Sequence, residues 1–177
     1  MEDECHLVWG DVCGKVWGKR NTPIEVPMTN ERQRQTYYGA INLLTREVHL
    51  QEGGTGDGEN TVAYLQWGQS RYPGKKLLLL WDGASYHRGA EMQEFLAREN
   101  AGLCEEDWKV TCLLFAPNAP EQNPTEDLWL KGKTHLRKHF AVNKTFAAVK
   151  QCFSGFLRAL SFDSIKCSWY WPTPQMI

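Results

Sequence analysis

The sequence predicts one mixed α/β domain, and three observations carry that prediction. Its segments read, in order, as strand, strand, helix, strand, helix, strand, helix, helix. Two of the strands, residues 76–81 and 110–116, are continuous apolar runs, the pattern of strands covered on both faces. The last helix, residues 145–160, repeats Phe146, Val149, Phe153, Phe156 and Leu160 at helical spacing, so one of its faces must be buried. At 177 residues the chain has the size of a single domain with a substantial core.

The elements follow from local chemistry. Residues 36–42 are β-branched and aromatic, and residues 47–51 alternate polar with apolar. With a turn at residues 43–46 they make a hairpin. The loop "EGGTGDGEN" is glycine-rich but lacks the Gly-Lys-Ser/Thr that a phosphate cradle needs. Residues 61–70 read as a short helix broken by Pro73-Gly74. Asp82-Gly83 ends the "LLLLW" strand, and residues 89–100 form an amphipathic helix with Met92, Phe95 and Leu96 on one side. Pro117 stops the next strand. Residues 120–124 form a rigid turn, after which Pro124, Glu126 and Asp127 suit the first turn of a helix reaching about residue 140.

Composition excludes several classes. A formal net charge of -1 gives no overall positive field, so any contact with nucleic acid must come from local patches. No apolar run reaches membrane-spanning length, and no basic-then-apolar segment marks a secretory signal, so a cytoplasmic protein with no membrane partner is expected. The glycosylation pattern Asn143-Lys144-Thr145 then carries no meaning. The six cysteines form no C-x-x-C pair, which argues for reduced thiols and against zinc.

Three acids stand where chemistry gathers. The opening "MEDECH" reads as the end of a strand whose beginning is absent, with Asp3 at its tip. Asp82 follows a buried strand, and Glu126 sits in the first turn of a helix. Ligands of an open α/β sheet bind at the carboxyl ends of its strands. Carboxylates converging there can hold two divalent cations, which suit phosphodiester displacement when about 3.5–4 Å apart. Taken alone, each acid reads better as an ordinary strand-end or helix-cap carboxylate, since such residues are common.

The blocks around these acids are more specific. "LLLLWDGASYHRGAEMQEFL" and "LFAPNAPEQNPTEDLWLKGK" resemble the second and third catalytic blocks of bacterial insertion-sequence transposases of the mariner-like type. "EDECHLVWGDVCGKVWGKR" with "RQRQTYYGAINLLTREVHL" resembles their first block and following hairpin. The likeness covers nearly the whole chain, residues 1–177, in the family's order, and its most specific part is Asn-Pro-x-Glu. It implies a ribonuclease H-like sheet flanked by helices. It implies a catalytic and metal-binding triad of Asp3, Asp82 and Glu126 with two Mg²⁺ or Mn²⁺ ions, Asp82 bridging both. It also implies cleavage of transposon ends and strand transfer into target DNA, by a chain that is nucleoid-associated when bound. Glu121 and Asp127 are the competing acids. The Asp82–Glu126 interval is longer than the family's usual one, the excess falling in "ARENAGLCEEDWK".

Around the triad, His87 reads as a phosphate contact or as a packed structural residue, and Asn123 as support for the turn presenting Glu126. Lys131, Lys133, Arg137 and Lys138 follow Glu126 on its helix. Lys133 and Arg137 share its face and are candidates for the DNA backbone, or for an ordinary solvated face. Arg32 and Arg34 are weaker candidates, and Trp17 and Trp81 read as core. The helicase pattern that Asp3-Glu4-Cys5-His6 also fits fails, because the only Gly-Lys-Thr comes far downstream and Asp127 holds its required glycine position.

The family's helix-turn-helix modules are not visible before Asp3, and the first central strand is expected to be largely missing. A truncated, weakly active or inactive chain is therefore expected. The alternative is a non-catalytic remnant that binds DNA, forms a homodimer or pairs with full-length transposase.

Overall fold

Burial alternates with period two from Cys5 to Val8. In Glu2–Val8, Cys5 and Leu7 are buried while His6 and Val8 are exposed, and this segment is strand β1. The computed structural model describes residues 1–15, 17–26, 33–116 and 122–161. β1 runs antiparallel to β2 (Arg34–Ile41), with Glu2 opposite Ala40 and Val8 opposite Arg34. Asp3 is thus the second residue of its strand, not the last. The strand expected to be largely missing contributes a seven-residue ladder, because Cys5 and Leu7 have a core to enter.

The expected hairpin is β2 with β3 (Val48–Gly53), antiparallel. Its turn is closed by Asn42, whose Oδ1 accepts from Leu44 N and Thr45 N, and by Arg46 at φ 62°. Helix α1 (Gly58–Arg71) starts earlier than residue 61 because Asp57 caps it, accepting from Asn60 N at 2.8 Å. Strand β4 (Leu77–Trp81) pairs in parallel with β5 (Val110–Leu114), and α2 (Ala90–Glu99) lies between them in the chain. The long "ARENAGLCEEDWK" stretch lies at the join of α2 and β5, where Asn100 Oδ1 accepts from Lys109 N and Val110 N.

Coverage of β4 and β5 on both faces does not hold. Trp81 and Val110 are buried, but Leu78 is 59% and Leu113 is 48% exposed, because α1 and α2 pack on only one side of the pair among the described residues. The two ladders are also separate. β1-β2-β3 form one sheet and β4-β5 the other, with β1 and β4 approaching each other without a ladder between them.

Helices α3 (Thr125–Lys138) and α4 (Phe146–Arg158) complete the chain, α4 being capped by Thr145, which accepts from Ala148 N. They approach closely at Gly132, where a Cβ would lie 2.5 Å from Phe153 Cε2. The three-stranded sheet buries both faces. One meets α3 and α4 through Cys5, Leu7, Tyr37, Leu128, Trp129, Leu136 and Phe153. The other meets α1, α2 and β4-β5 through Tyr38, Tyr64, Trp81 and Phe95. Adjacent residues Tyr37 and Tyr38 thus serve opposite cores, as strand geometry requires. Trp81 is core, as expected. Trp17, expected in the core, is fully exposed in the segment after β1, which has no ladder partner there. No helix among the described residues is long and apolar enough to cross a membrane.

Candidate active site

The alternation of β1 sorts the opening carboxylates. Asp3 points with Cys5 toward α3, and Glu2 and Glu4 point away from it. Asp3 accepts from Trp129 Nε1 at 3.2 Å and from Glu4 N at 2.9 Å. Burial, then the neighbouring charge of Glu126, pushes its pKa up to about 7. Glu126 is exposed in the first turn of α3. The start of that helix is set by Asn123, a buried residue whose Oδ1 accepts from Thr125 N and whose carbonyl accepts from Glu126 N. The expected supporting role of Asn123 is visible in those bonds. Glu126, not Asp127, carries the electrostatic coupling to Asp3, and Glu121 lies outside the described residues.

Asp82 stands in a different company. Its Oδ1 accepts from Ala84 N at 2.9 Å and lies 3.2 Å from His87 Nδ1. Past that ring, His87 Nε2 lies 3.4 Å from Glu4 Oε1, at ion-pair distance without hydrogen-bond alignment, and 4.0 Å from Glu2 Oε2. Burial opposes a charged His87, but Glu4 and Asp82 outweigh it and hold its pKa above the ordinary value. Glu2 is also raised, by burial first and then by Glu4 and Asp3. His87 stacks on Trp81 with ring centroids 4.1 Å apart, so its packed surroundings and its polar contacts are parts of one arrangement.

The structure therefore joins Asp3 to Glu126, and Asp82 to His87. Among the described residues, the ligand atoms of Asp3, Asp82 and Glu126 do not all lie within 4.8 Å of one another. Among the described residues, the trio whose ligand atoms lie within 4.8 Å of one another is Glu2, Glu4 and His87. Sequence reading missed Glu2 and Glu4 as partners of His87, and Trp129 as the donor to Asp3. The Glu-Asp-Glu alternation would have separated the acids by face, had the strand been read as starting at Glu2.

Two of the basic candidates have partners within the chain. Lys133 Nζ pairs with Asp11 at 3.4 Å, and Arg137 Nε donates to the Cys13 carbonyl at 3.1 Å. Both hold the segment that follows β1 against α3. Lys133 does share the face of Glu126, since both charges act on Cys5. Lys131 and Lys138 are exposed on α3 and Arg34 is exposed at the start of β2, while Arg32 lies outside the described residues.

The raised carboxyls set the sign of a pH effect. A carboxyl with an elevated folded pKa binds its proton more tightly when folded. Its stabilising contribution is complete below the unfolded value of about 4 and is lost as pH rises through the folded one. For Asp3 that window runs from about pH 4 to about 7. Glu2 and His87 act in the same direction. Thermal melts in chelator should therefore fall as pH is raised from 4 to 8, with Asp3 contributing on the order of 2–4 kcal/mol. Asp3→Asn should flatten the fall, and an equally steep profile in that variant would exclude Asp3 as its source.

The family described as DDE superfamily endonuclease matches residues 2–147. Two solved structures are similar in fold, each with TM-score 0.56: the Mos1 transposase paired-end complex with left transposon end, at 14% identity, and the Mos1 mariner paired-end complex with Mn, at 15%. Each match covers 96% of this chain and 49% of the other, so the chain spans about half the length of these relatives. No curated protein matches it. At that identity the solved structures establish a shared fold, the ribonuclease H-like one.

Proposed function

Because the chain belongs to the DDE superfamily endonuclease family, we propose that it carries the carboxylate site of a metal-dependent DNA transposase. This enzyme cuts the ends of a bacterial insertion sequence and joins them to target DNA. The observation that supports this most is the meeting of Asp3 and Glu126. Two acids from distant parts of the chain come near enough that the charge of Glu126 adds to burial, the larger cause, in raising Asp3 to about 7. A divalent cation would relieve that opposition, and the all-carboxylate donor set suits Mg²⁺ or Mn²⁺. In this reading Asp3 and Glu126 would hold one such ion. Asp82 as the ligand that completes a two-ion site is part of the proposal.

When bound, such ions supply Lewis-acid polarisation of a phosphodiester and a more acidic attacking hydroxyl. The chain's own groups do the rest. Trp129 Nε1–H and Glu4 N–H orient the Asp3 carboxylate. His87 and Ala84 N orient that of Asp82. The α3 face carrying Lys133 and Arg137 continues from Glu126, and we place the DNA backbone along it, with Lys131 exposed on the same helix as a further contact. The Mos1 complexes, one with a transposon end and one with Mn, lend the same substrate and metal to the proposal. We place the protein in the cytoplasm, on the nucleoid when bound to DNA, with a second copy or a longer transposase as partner.

One observation favours a second reading, a non-catalytic chain that binds DNA or a longer transposase: among the described residues the ligand atoms of Asp82, Asp3 and Glu126 do not all lie within 4.8 Å of one another. A single assay separates the two. Purified chain incubated with supercoiled plasmid and Mn²⁺ should nick it, and chelator should stop the nicking. Folded chain that binds DNA without nicking it in Mn²⁺ or Mg²⁺ would refute the catalytic reading and leave the second.

A further inference from the structure

On the face of β1 opposite Asp3, Glu2 and Glu4 converge with His87 in a pocket sealed from solvent. The side chains of Glu2 and His87 are each 1% exposed and that of Glu4 is 6% exposed. Both oxygens of Glu2, Oε1 of Glu4 and Nε2 of His87 are buried with no hydrogen-bond partner. Buried polar atoms are almost always paired, and an unpaired buried carboxylate is costly. Here four such atoms belong to three side chains aimed at one another. We propose that Glu2, Glu4 and His87 form a second metal site, for a divalent first-row transition ion, distinct from the Asp3–Glu126 pair.

The surroundings are those of a built site. His87 Nε2 lies 3.4 Å from Glu4 Oε1 and 4.0 Å from Glu2 Oε2, and the three ligand atoms lie within 4.8 Å of one another. Ligands at about 2.0–2.1 Å around a tetrahedral ion stand about 3.3 Å apart, so a small contraction closes the set. The supporting bonds aim each ligand inward. His87 Nδ1 lies 3.2 Å from both the carbonyl and Oδ1 of Asp82, which fixes the proton on Nδ1 and turns the Nε2 lone pair toward the carboxylates. Tyr86 Oη donates to Glu4 Oε2 at 3.1 Å and leaves Oε1 facing the cluster. Trp81, stacked parallel on the imidazole, holds the ring in that plane. One imidazole and two carboxylates suit Zn²⁺, Co²⁺ or Mn²⁺, whereas Mg²⁺ prefers oxygen alone.

The site has a structural task. β1 and β4 approach each other without a ladder. An ion held by Glu2 and Glu4 of β1 and by His87, just beyond β4, ties the two sheets together there. Because His87 also touches Asp82, the same ion sets the position of that residue.

Zn²⁺ is the probe. Chelator-stripped full chain, dialysed against Zn²⁺, should retain one equivalent by elemental analysis, and Co²⁺ should give a tetrahedral visible spectrum. His87→Gln and Glu4→Gln should weaken binding at least about tenfold. Asp3→Asn and Glu126→Gln should retain it, which separates this site from the one proposed for DNA cleavage. His135→Gln should also retain it, excluding the stacked His135–His139 pair on α3 as the ligand. If His87→Gln or Glu4→Gln fails to fold, X-ray absorption on the Zn²⁺-loaded wild type decides. A single imidazole with oxygen neighbours supports the site, and sulfur ligands overturn it. Folded wild type that retains no Zn²⁺, or binding unchanged in His87→Gln, also overturns it.

Discussion

Glu126→Gln, Asp3→Asn and Asp82→Asn should each lower Mn²⁺-dependent plasmid nicking at least about 100-fold. The reference is the effect of residues that merely support a metal ligand, whose loss costs about 10–100-fold. Loss of a ligand oxygen should cost no less. The three variants should differ in stability, and that difference makes the test informative. Glu126 is exposed in the first turn of α3, where a neutral isostere changes stability little, within about 0.5 kcal/mol. Asp3 is held at a raised pKa by burial and by Glu126. Asparagine there can accept from Trp129 but not also from Glu4 N, and it removes a charge the interior opposes; the charge is the larger effect, so Asp3→Asn should melt higher than wild type at pH 8 in chelator. A variant that folds as well as wild type, or better, and has lost nicking has lost chemistry and not structure. Should Glu126→Gln nick within threefold of wild type, Glu126 is not a ligand.

Trp129→Ala should destabilise the chain by about 3–5 kcal/mol, a large part of the roughly 5–15 kcal/mol that holds a domain of this kind together. Trp129 is 4% exposed and belongs to the core formed by the three-stranded sheet with α3 and α4. Its ring lies parallel to that of Phe153, with centroids 6.3 Å apart. The opposing strand makes room for it at Gly39, where a Cβ would fall 2.3 Å from Trp129 Cη2. Gly39→Ala should therefore destabilise the wild type and cost much less in a Trp129→Leu background, a coupling that denaturant melts of the four proteins measure. Trp129→Phe isolates the other role of this residue. It keeps most of the packing but removes the Nε1–H that orients Asp3. It should leave most of the stability in place while weakening Mn²⁺-dependent nicking by about 10-fold or more. Equal melting midpoints for wild type and Trp129→Ala would show that this ring is not the keystone of its core.

Much of the fold was legible along the chain because its signals are local. The "LLLLW" run, the helical spacing from Phe146 to Leu160 and the β-branched stretch around Tyr37 each report their own burial within a few residues. The order of elements from β2 onward was read correctly for the same reason, whereas β1 was expected to be largely missing. The start of α1 was placed too late because the Asp57 cap lies in a glycine-rich loop whose pattern says only that the chain is irregular there. The open face of β4 and β5 was missed because an apolar run states a preference for burial, and only a neighbouring layer can satisfy it.

What the sequence determined by itself was the family, since blocks such as Asn-Pro-x-Glu are written in contiguous residues. What only the tertiary structure decided was which acids share a face. Consecutive side chains of a strand diverge to opposite sides, so Asp3 goes to Glu126 and Trp129 while Glu2 and Glu4 go to His87. Which groups of its own chain a basic residue meets was likewise a matter of distance: Lys133 meets Asp11, and Arg137 meets the Cys13 carbonyl. Charge and type are properties of a residue, but company is a property of the fold.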